Sequence, residues 1–410
     1  MKKYIIFATL IFITMFSFAA EPKRFGDARR YIEFGVDAQA AFDNNYFTLG
    51  DFFQETLVID LDLMAEEMSE NGLSLSLGAN VDLYGNFNFK NFGFGLFTNI
   101  EASGYSSIPK SIFEILSEGN TLGKTYSGDL NLRGDTTIET GAWFGTKIGT
   151  PIGKISFTFK PTYFIPVMHI HEPTTSYTVL SNTDGDFRAS GTVDIPVYTA
   201  IPGAALETGE DINGYVSEML SSGGLDFAVS ADYALLPVLN VGARIKGLPL
   251  FPARMKYRTR VIGEYTVEMD PLLADSDALE SGDFVTTTNE YDFYHDEKNL
   301  QVFRPFKMGV TALYKPFRNN FMTLHPNLDL VIYNGVYVDA GVKLQTSLAN
   351  ILIFKLSSNI EDMIWKQQAG IILNARILEL EVAAGFQSAD FIKSFQGAGL
   401  NFMLGIRAGL

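Results

Sequence analysis

From residue 31 onward, apolar side chains recur at every second position. Between 31 and 40, Ile32, Phe34, Val36, Ala38 and Ala40 alternate with Glu33, Asp37 and Gln39. Successive side chains of a strand point to opposite faces, so this spacing predicts an extended segment with one apolar and one polar side. The pattern returns at Leu73, Leu75, Leu77, Ala79, Val81 and Leu83, then at Phe92, Phe94, Leu96 and Ile100, and again at Ile155, Phe157, Phe159, Tyr163, Ile165 and Val167. Leu225, Phe227, Val229, Ala231 and Tyr233 repeat it, as do Val336, Val338, Ala340, Val342 and Leu344. The chain ends on Leu400, Phe402, Leu404, Ile406 and Ala408. Taken together the runs predict roughly fourteen to sixteen strands. Several exceed the ~5–6 residues usual in soluble proteins and match the ~9–11 needed to cross a bilayer at a tilt.

Joins at Lys90-Asn91, Thr150-Pro151-Ile152-Gly153, Leu236-Pro237-Val238 and 315–319 are short enough for hairpins, which makes their strands antiparallel neighbours. The joins 104–129, 171–186 and 269–301 read as long polar loops. Short turns at one end and long loops at the other is the arrangement of outer-membrane barrels. The rule is broken at 200–223, long where a short turn is expected, and near Asn334 and Asn350, where both joins are short. Closure explains how such strands cross lipid, because an open edge leaves backbone groups unsatisfied at several kcal/mol each. A secreted β-sandwich or soluble barrel would also alternate. Strand length, and 34 Phe and 18 Tyr available for interfacial girdles, favour the membrane barrel. The final residue, Leu410, departs from the aromatic end common in such barrels.

Two further features modify this picture. Lys2 and Lys3 precede an apolar run of fifteen residues, Tyr4 to Phe18, with Ser17, Ala19 and Ala20 as small residues for cleavage. This predicts a secretory signal peptide over 1–20, cut after Ala19 or Ala20, and a mature barrel over 21–410. Fifteen helical residues span only ~22 Å, short for a ~30 Å hydrocarbon core. In 48–68 the period changes: Leu49, Phe52, Phe53, Leu57, Leu61, Met64 and Met68 approach helical spacing, although Leu57, Ile59, Leu61 and Leu63 also fit a strand. A helix here, within 43–71, would be either a lumen plug, with Phe52, Phe53, Leu57, Leu61 and Met64 as its apolar face, or a rim helix. Short helices are also expected at 111–117 and 212–220.

Composition narrows the chemistry. The chain has 47 acidic and 31 basic residues, a net charge of -16 and no Cys. It lacks the basic footprint for nucleic acid, and no disulfide, thiol nucleophile or thiolate metal site can form. Against that acidic background Arg254, Lys256, Arg258 and Arg260 share one face of a strand, with Arg244 and Lys246 just upstream. A cation facing lipid near the midplane costs ~2–4 kcal/mol, so all six are expected in the lumen. There they would either attract an anionic solute or the carboxylate of an amphiphile, or pair with inward acids such as Glu33, Asp37, Asp226 and Asp232. His169 and His171, beside Glu172, could touch a metal. They continue the outward row of Ile165 and Val167, which favours a position at the membrane interface. His295-Asp296 falls in the acidic 269–301 segment. No nucleophile elbow, zincin, P-loop, dinucleotide or Ca²⁺-loop motif is present. No enzyme activity, metal or cofactor is therefore expected.

Several stretches are Lys160-Pro161-Thr162-Tyr163-Phe164-Ile165-Pro166, Gly247-Leu248-Pro249-Leu250, Tyr314-Lys315-Pro316-Phe317, Gln387-Ser388-Ala389-Asp390-Phe391 and Gly397-Ala398-Gly399-Leu400. In these the chain resembles a group of spirochaete outer-membrane barrels described as similar to the long-chain fatty acid transporter (FadL-like) family. The resemblance implies about fourteen strands (range about twelve to sixteen), an N-terminal hatch in the lumen and uptake of hydrophobic or amphipathic compounds. The expectation is an all-β transmembrane barrel, monomeric or trimeric, inserted by the barrel-assembly machinery into outer-membrane lipid and passing small solutes such as fatty acids. A general diffusion porin and an adhesin using its acidic loops are the alternatives.

Overall fold

The computed structural model describes residues 30–52, 59–69, 72–119, 121–150, 153–183, 186–203, 205, 212–269, 285–317, 321–333 and 335–410. The expected signal peptide lies outside these residues, as do Phe53 and Leu57 of the expected plug. Among the described residues nineteen strands follow in chain order. They are β1 (Ile32–Asn44), β2 (Leu73–Asn88), β3 (Phe92–Ile108), β4 (Thr125–Asp129), β5 (Asn131–Thr150), β6 (Gly153–Ile170), β7 (Thr174–Ser181), β8 (Phe187–Thr199), β9 (Gly224–Leu236) and β10 (Leu239–Phe251). The rest are β11 (Ala253–Met269), β12 (Val285–Val302), β13 (Phe306–Tyr314), β14 (Met322–Ile332), β15 (Val336–Leu348), β16 (Leu352–Glu361), β17 (Ile364–Ala375), β18 (Leu378–Ser388) and β19 (Gly399–Gly409).

Fourteen of them close into an antiparallel barrel. The ring runs β1, β2, β3, β5, β6, β9, β10, then β13 through β19, and β19 returns to β1 with Phe34 opposite Ala408 and Phe42 opposite Leu400. The seam is tied at its end by Tyr31 N–H donating to Leu410 C=O at 2.7 Å and Leu410 N–H donating to Ile32 C=O at 2.9 Å. Arg30 and Leu410 therefore sit at the end that carries the short joins 89–91, 237–238, 349–351 and 376–377. At the other end stand the helices Leu61–Glu67 and Lys110–Glu118 and the long excursions after β6 and β10.

The alternation places side chains as the sequence pattern requires, with the usual soluble arrangement inverted. Along β1, Phe34 and Val36 are exposed while Glu33 and Asp37 are buried; along β18, Leu380 and Val382 are exposed while Glu379 and Glu381 are buried. Apolar rows thus face outward around the ring, and charged rows face the interior. No described helix is long and apolar enough to cross a membrane, which leaves the strands unaddressed.

The five remaining strands correct the loop assignment. β8 takes the place of β9 above its first residue, pairing Thr199 with Met168 of β6 and with Tyr257 of β11. β12 pairs with β11, β7 with β8 and β4 with β7. The segments 171–186 and 269–301 thus contain strands as well as loops, and the long 200–223 join connects this raised sheet back to the ring. Register through β6 carries the inward face of the ring onto one face of the raised sheet: Asp135, His169 and Tyr198 stand in one row. The barrel wall is therefore higher on this side.

Candidate transport pathway

Among the described residues, most ion pairs that line the interior of the ring fall into three groups. Near the seam, Arg407 donates to Glu379 at 2.8 Å, to Glu381 at 2.6 Å and to Asp37 at 2.8 Å, and its Nε donates to the Tyr84 hydroxyl at 2.9 Å. Lys355 also binds Glu381. This group is dry: the Arg407 side chain is 5% exposed, and those of Glu379 and Glu381 are 1% exposed. It ties β1, β18 and β19 together across the closure. Gly405 makes the arrangement feasible, since a Cβ there would overlap the Asp37 carboxylate.

The second group is built on Arg304, in the short link between β12 and β13. Its guanidinium reaches Glu139 on β5 at 2.7 Å and Asp226 on β9 at 3.0 Å, and lies 5.8 Å from the Phe164 ring. Gly247 allows that link to pass, because a Cβ at its φ of +65° would overlap the Pro305 carbonyl. Nearby, Lys160 lies 3.9 Å over the Phe97 ring. In the third group Arg244 donates to Asp329 at 2.8 Å, Lys307 meets Asp339 at 2.7 Å, and Lys366 meets Glu361 at 2.9 Å. Water reaches this group only in part: Asp329 and Asp339 are buried. Glu101, on the inward row of β3, is exposed, and the Glu361 side chain is 49% exposed.

These positions revise the expected cationic stripe. Arg244 and Lys246 lie inward on β10, Lys246 opposite Lys307 in register. Arg254, Lys256, Arg258 and Arg260 are on β11, above the ring and not in the lumen wall, because the chain leaves the ring after Phe251 and pairs with β8 and β12 instead. Their acids also differ from those expected. Lys256 meets Glu218 at 3.1 Å and Glu297 at 3.4 Å, Arg258 donates to Asp296 at 2.8 Å, and Arg260 donates to Asp194 at 2.7 Å; Arg254 is exposed. The hydrogen bonds from Arg260 and Arg258 hold the Asp194 and Asp296 carboxyls below their ordinary range. The expected inward acids are inward, but Glu33, Asp37 and Asp226 are paired with Arg30, Arg407 and Arg304.

The histidines also change sides. A β-bulge between Thr136 and Thr137 shifts the register, so that Ile165 pairs with outward Ile138 whereas His169 pairs with inward Asp135. His169 Nδ1 is 2.6 Å from Asp135 Oδ1, and its ring lies 5.6 Å from that of His171. The expected interface row therefore ends at the bulge. Among the described residues no group of three or more His, Asp or Glu is placed to hold a metal ion.

Of the expected plug face, Leu61 and Met64 are on the helix Leu61–Glu67, which begins at Asp60, whose carboxylate accepts from Leu63 N–H at 3.0 Å. Met64, Ala65 and Met68 pack with Phe113 of the helix Lys110–Glu118, flanked by Tyr46, Phe47, Leu73 and Ile108. Leu73 and Ile108 are strand ends and Tyr46 and Phe47 follow the end of β1, so the described contacts of the helix are at the rim of the long-loop end. The helix Leu49–Phe52 carries Phe52.

Among solved structures, several barrels are similar at low identity. The TodX deltaS2S3 mutant monoaromatic hydrocarbon channel is similar over 97% of this chain and 96% of its own, at 8% identity and a TM-score of 0.47. The Pseudomonas putida toluene transporter TodX is similar over 97% and 96% at 9% identity, with a TM-score of 0.42. The translocator domain of the autotransporter NalP from Neisseria meningitidis is similar over 100% and 98% at 7% identity, with a TM-score of 0.32. No protein-family model matches the sequence, and no curated protein matches it. The barrel assignment rests on the strand pairing itself.

Arg304, Arg407, Lys355, Lys307, Glu379 and Glu381 are not among the residues that the sequence singles out. Five of these were within reach of the period: Arg407 holds the polar phase between Ile406 and Ala408, and Glu379 and Glu381 hold it between Leu378, Leu380 and Val382. Lys307 and Lys355 alternate in the same way. Arg304 lies between strands, where no periodicity marks it.

Proposed function

We propose that the protein is an exported outer-membrane channel whose lumen passes small solutes, amphipathic molecules with a carboxylate head among them. The observation that carries this reading is the inverted alternation of a closed ring: oily rows outside, ion pairs inside. A soluble protein has no use for that polarity, whereas lipid around a wet pore requires it. Inward cations beside solvent-exposed inward surface offer a carboxylate its charge partner, and outward apolar rows give the chain its hold in acyl chains. The pair of helices at the rim would hood the mouth of such a pathway. By the loop rule for these barrels the long-loop end faces outward from the cell and the short turns face the periplasm.

A general diffusion porin is the second reading, favoured by the density of ion pairs in the lumen, which suits hydrated solutes. Purified protein in planar bilayers and in sugar-loaded liposomes separates the two. Sugar-driven swelling with no saturable fatty-acid binding supports the porin; saturable binding of a long-chain carboxylate with little swelling supports the amphiphile channel. A barrel that neither conducts nor binds leaves the transport proposal without support and returns an adhesive role for the raised sheet.

A further inference from the structure

The ten-residue join 389–398, between β18 and β19, folds over the outside of the barrel. Its side is fixed by three polar residues on the outward phase of their strands. Gln367 of β17 is 8% exposed and donates to Ser394 Oγ at 3.1 Å. Asn44 of β1 is 2% exposed and its backbone N–H donates to Ala398 C=O at 3.2 Å. Ser388 of β18, opposite outward Trp365, is fully covered and donates to Asn44 C=O at 3.4 Å. Lipid would leave all three unsatisfied. The strap covers them with its own polar groups.

What the strap presents in return is apolar. Phe391 is 46% exposed, Ile392 66% and Phe395 57%, on one side of the short helix Lys393–Gln396 and its approach. Trp365 braces them edge-on, 4.7 Å from Phe391, and Phe391 stands 5.2 Å from Phe395. Lys393 turns the other way, toward Asn45 C=O at 3.2 Å and the Tyr46 ring. Height decides what covers this knuckle. From Ala375 at the short-turn end to Trp365 there are roughly ten residue steps, which at ~3.3 Å and a ~40° tilt rise about 25 Å, the height of the apolar band of such barrels. The knuckle is continuous below with the outward row of Ile371 and Leu373.

We propose that the 389–398 strap is an interfacial anchor, with Phe391, Ile392 and Phe395 inserted at the boundary between headgroups and acyl chains of the outer leaflet. The occupant is lipid, and the inference rests on the membrane-barrel reading above. Aromatic and aliphatic side chains at this depth gain from burial while the covered amides and hydroxyls stay out of hydrocarbon.

The chain has no Cys, so single replacements label cleanly. Phe395→Cys and, separately, Ile392→Cys would carry an environment-sensitive fluorophore in phosphatidylcholine vesicles containing lipids spin-labelled either near the headgroup or deep in the acyl chain. Leu404→Cys, on an outward row of β19, serves as the reference. Quenching at 392 and 395 at least twofold stronger by the shallow label, with Leu404 quenched mainly by the deep one, is expected. If Leu404 is untouched by either lipid label, the membrane-barrel reading itself fails. If Leu404 is quenched by lipid but 392 and 395 respond only to aqueous iodide, the anchor is overturned. It is equally overturned if they are shielded from iodide and both lipid labels alike, the outcome a second copy seated on the strap would give.

Discussion

Single residues here act through the company they keep in a low-dielectric wall. Arg407 serves three carboxylates, and removing it takes the shared cation from Asp37, Glu379 and Glu381 in a buried site where Glu381 keeps the ion pair with Lys355 described above. Breaking a buried pair by deleting one partner costs about 3–5 kcal/mol, most of it the penalty of the charges left behind. Arg407→Ala is therefore expected to lower unfolding free energy in lipid vesicles by that amount. A loss below about 1 kcal/mol, the range of exposed pairs, would place the group in water and contradict its burial. Arg304 is a different case, its side chain being 25% exposed against 5% for Arg407. Its removal frees Glu139 and Asp226 and should leave the pore more attractive to cations. Reversal potentials in a salt gradient across a planar bilayer would shift toward the cation potential in Arg304→Ala; an unchanged potential would mean that solutes do not pass this point.

At the scale of elements, the raised sheet of β8, β11 and β12 holds together differently from the wall. It is clasped by Arg258 with Asp296 and Arg260 with Asp194, on a face that water reaches: the Asp296 side chain is 46% exposed and that of Asp194 is 33% exposed. Both carboxyls titrate below the ordinary aspartate value of 3.8 because they accept hydrogen bonds from guanidinium groups. A depressed folded-state value contributes stability above the unfolded-state value, and that contribution disappears as pH falls through the folded one. Hydrogen exchange of β11 and β12 amides, corrected for intrinsic rates, should therefore accelerate below about pH 4, while β17 and β18 keep their protection. Equal behaviour of the two regions would show that the clasps do not hold the sheet. This element was also the least legible in sequence. Alternation in 254–261 marked a strand correctly, but a strand's period does not say which neighbours it joins, and the step at Phe251-Pro252 that takes the chain out of the ring carries no periodic signal. For the same reason alternation alone assigns the four cations to the lumen. The bulge at Thr136 had a like effect on His169, since one extra residue moves every following side chain to the other face. The seam acids and Arg407, by contrast, were written in the alternation and needed only the register to bring them together.

On the scale of the whole molecule, the polarity of the barrel is set by which solvent meets which face. Ile100 and Ser103 are three residues apart on β3, about 7–8 Å in height at ~3.3 Å per residue and a ~40° tilt, and Ile100 points outward, 43% exposed, whereas Ser103 is exposed on the inward phase beside Glu101. An arginine at each tests the two faces with one side chain. Facing acyl chains, Ile100→Arg should lose about 2 kcal/mol of stability in vesicles, the lower part of the range for a cation near mid-depth, and leave conductance unchanged. Facing water, Ser103→Arg should lose little stability, because its guanidinium stays hydrated and has Glu101 as a near neighbour, but it should narrow the passage and lower single-channel conductance. A soluble barrel with its oily rows packed inward reverses this pairing: arginine at 103 would then stand on the outer surface and could not touch any current, while arginine at 100 would disrupt a core. The two variants together therefore read the polarity of the barrel directly, and they do so without knowing what the channel carries.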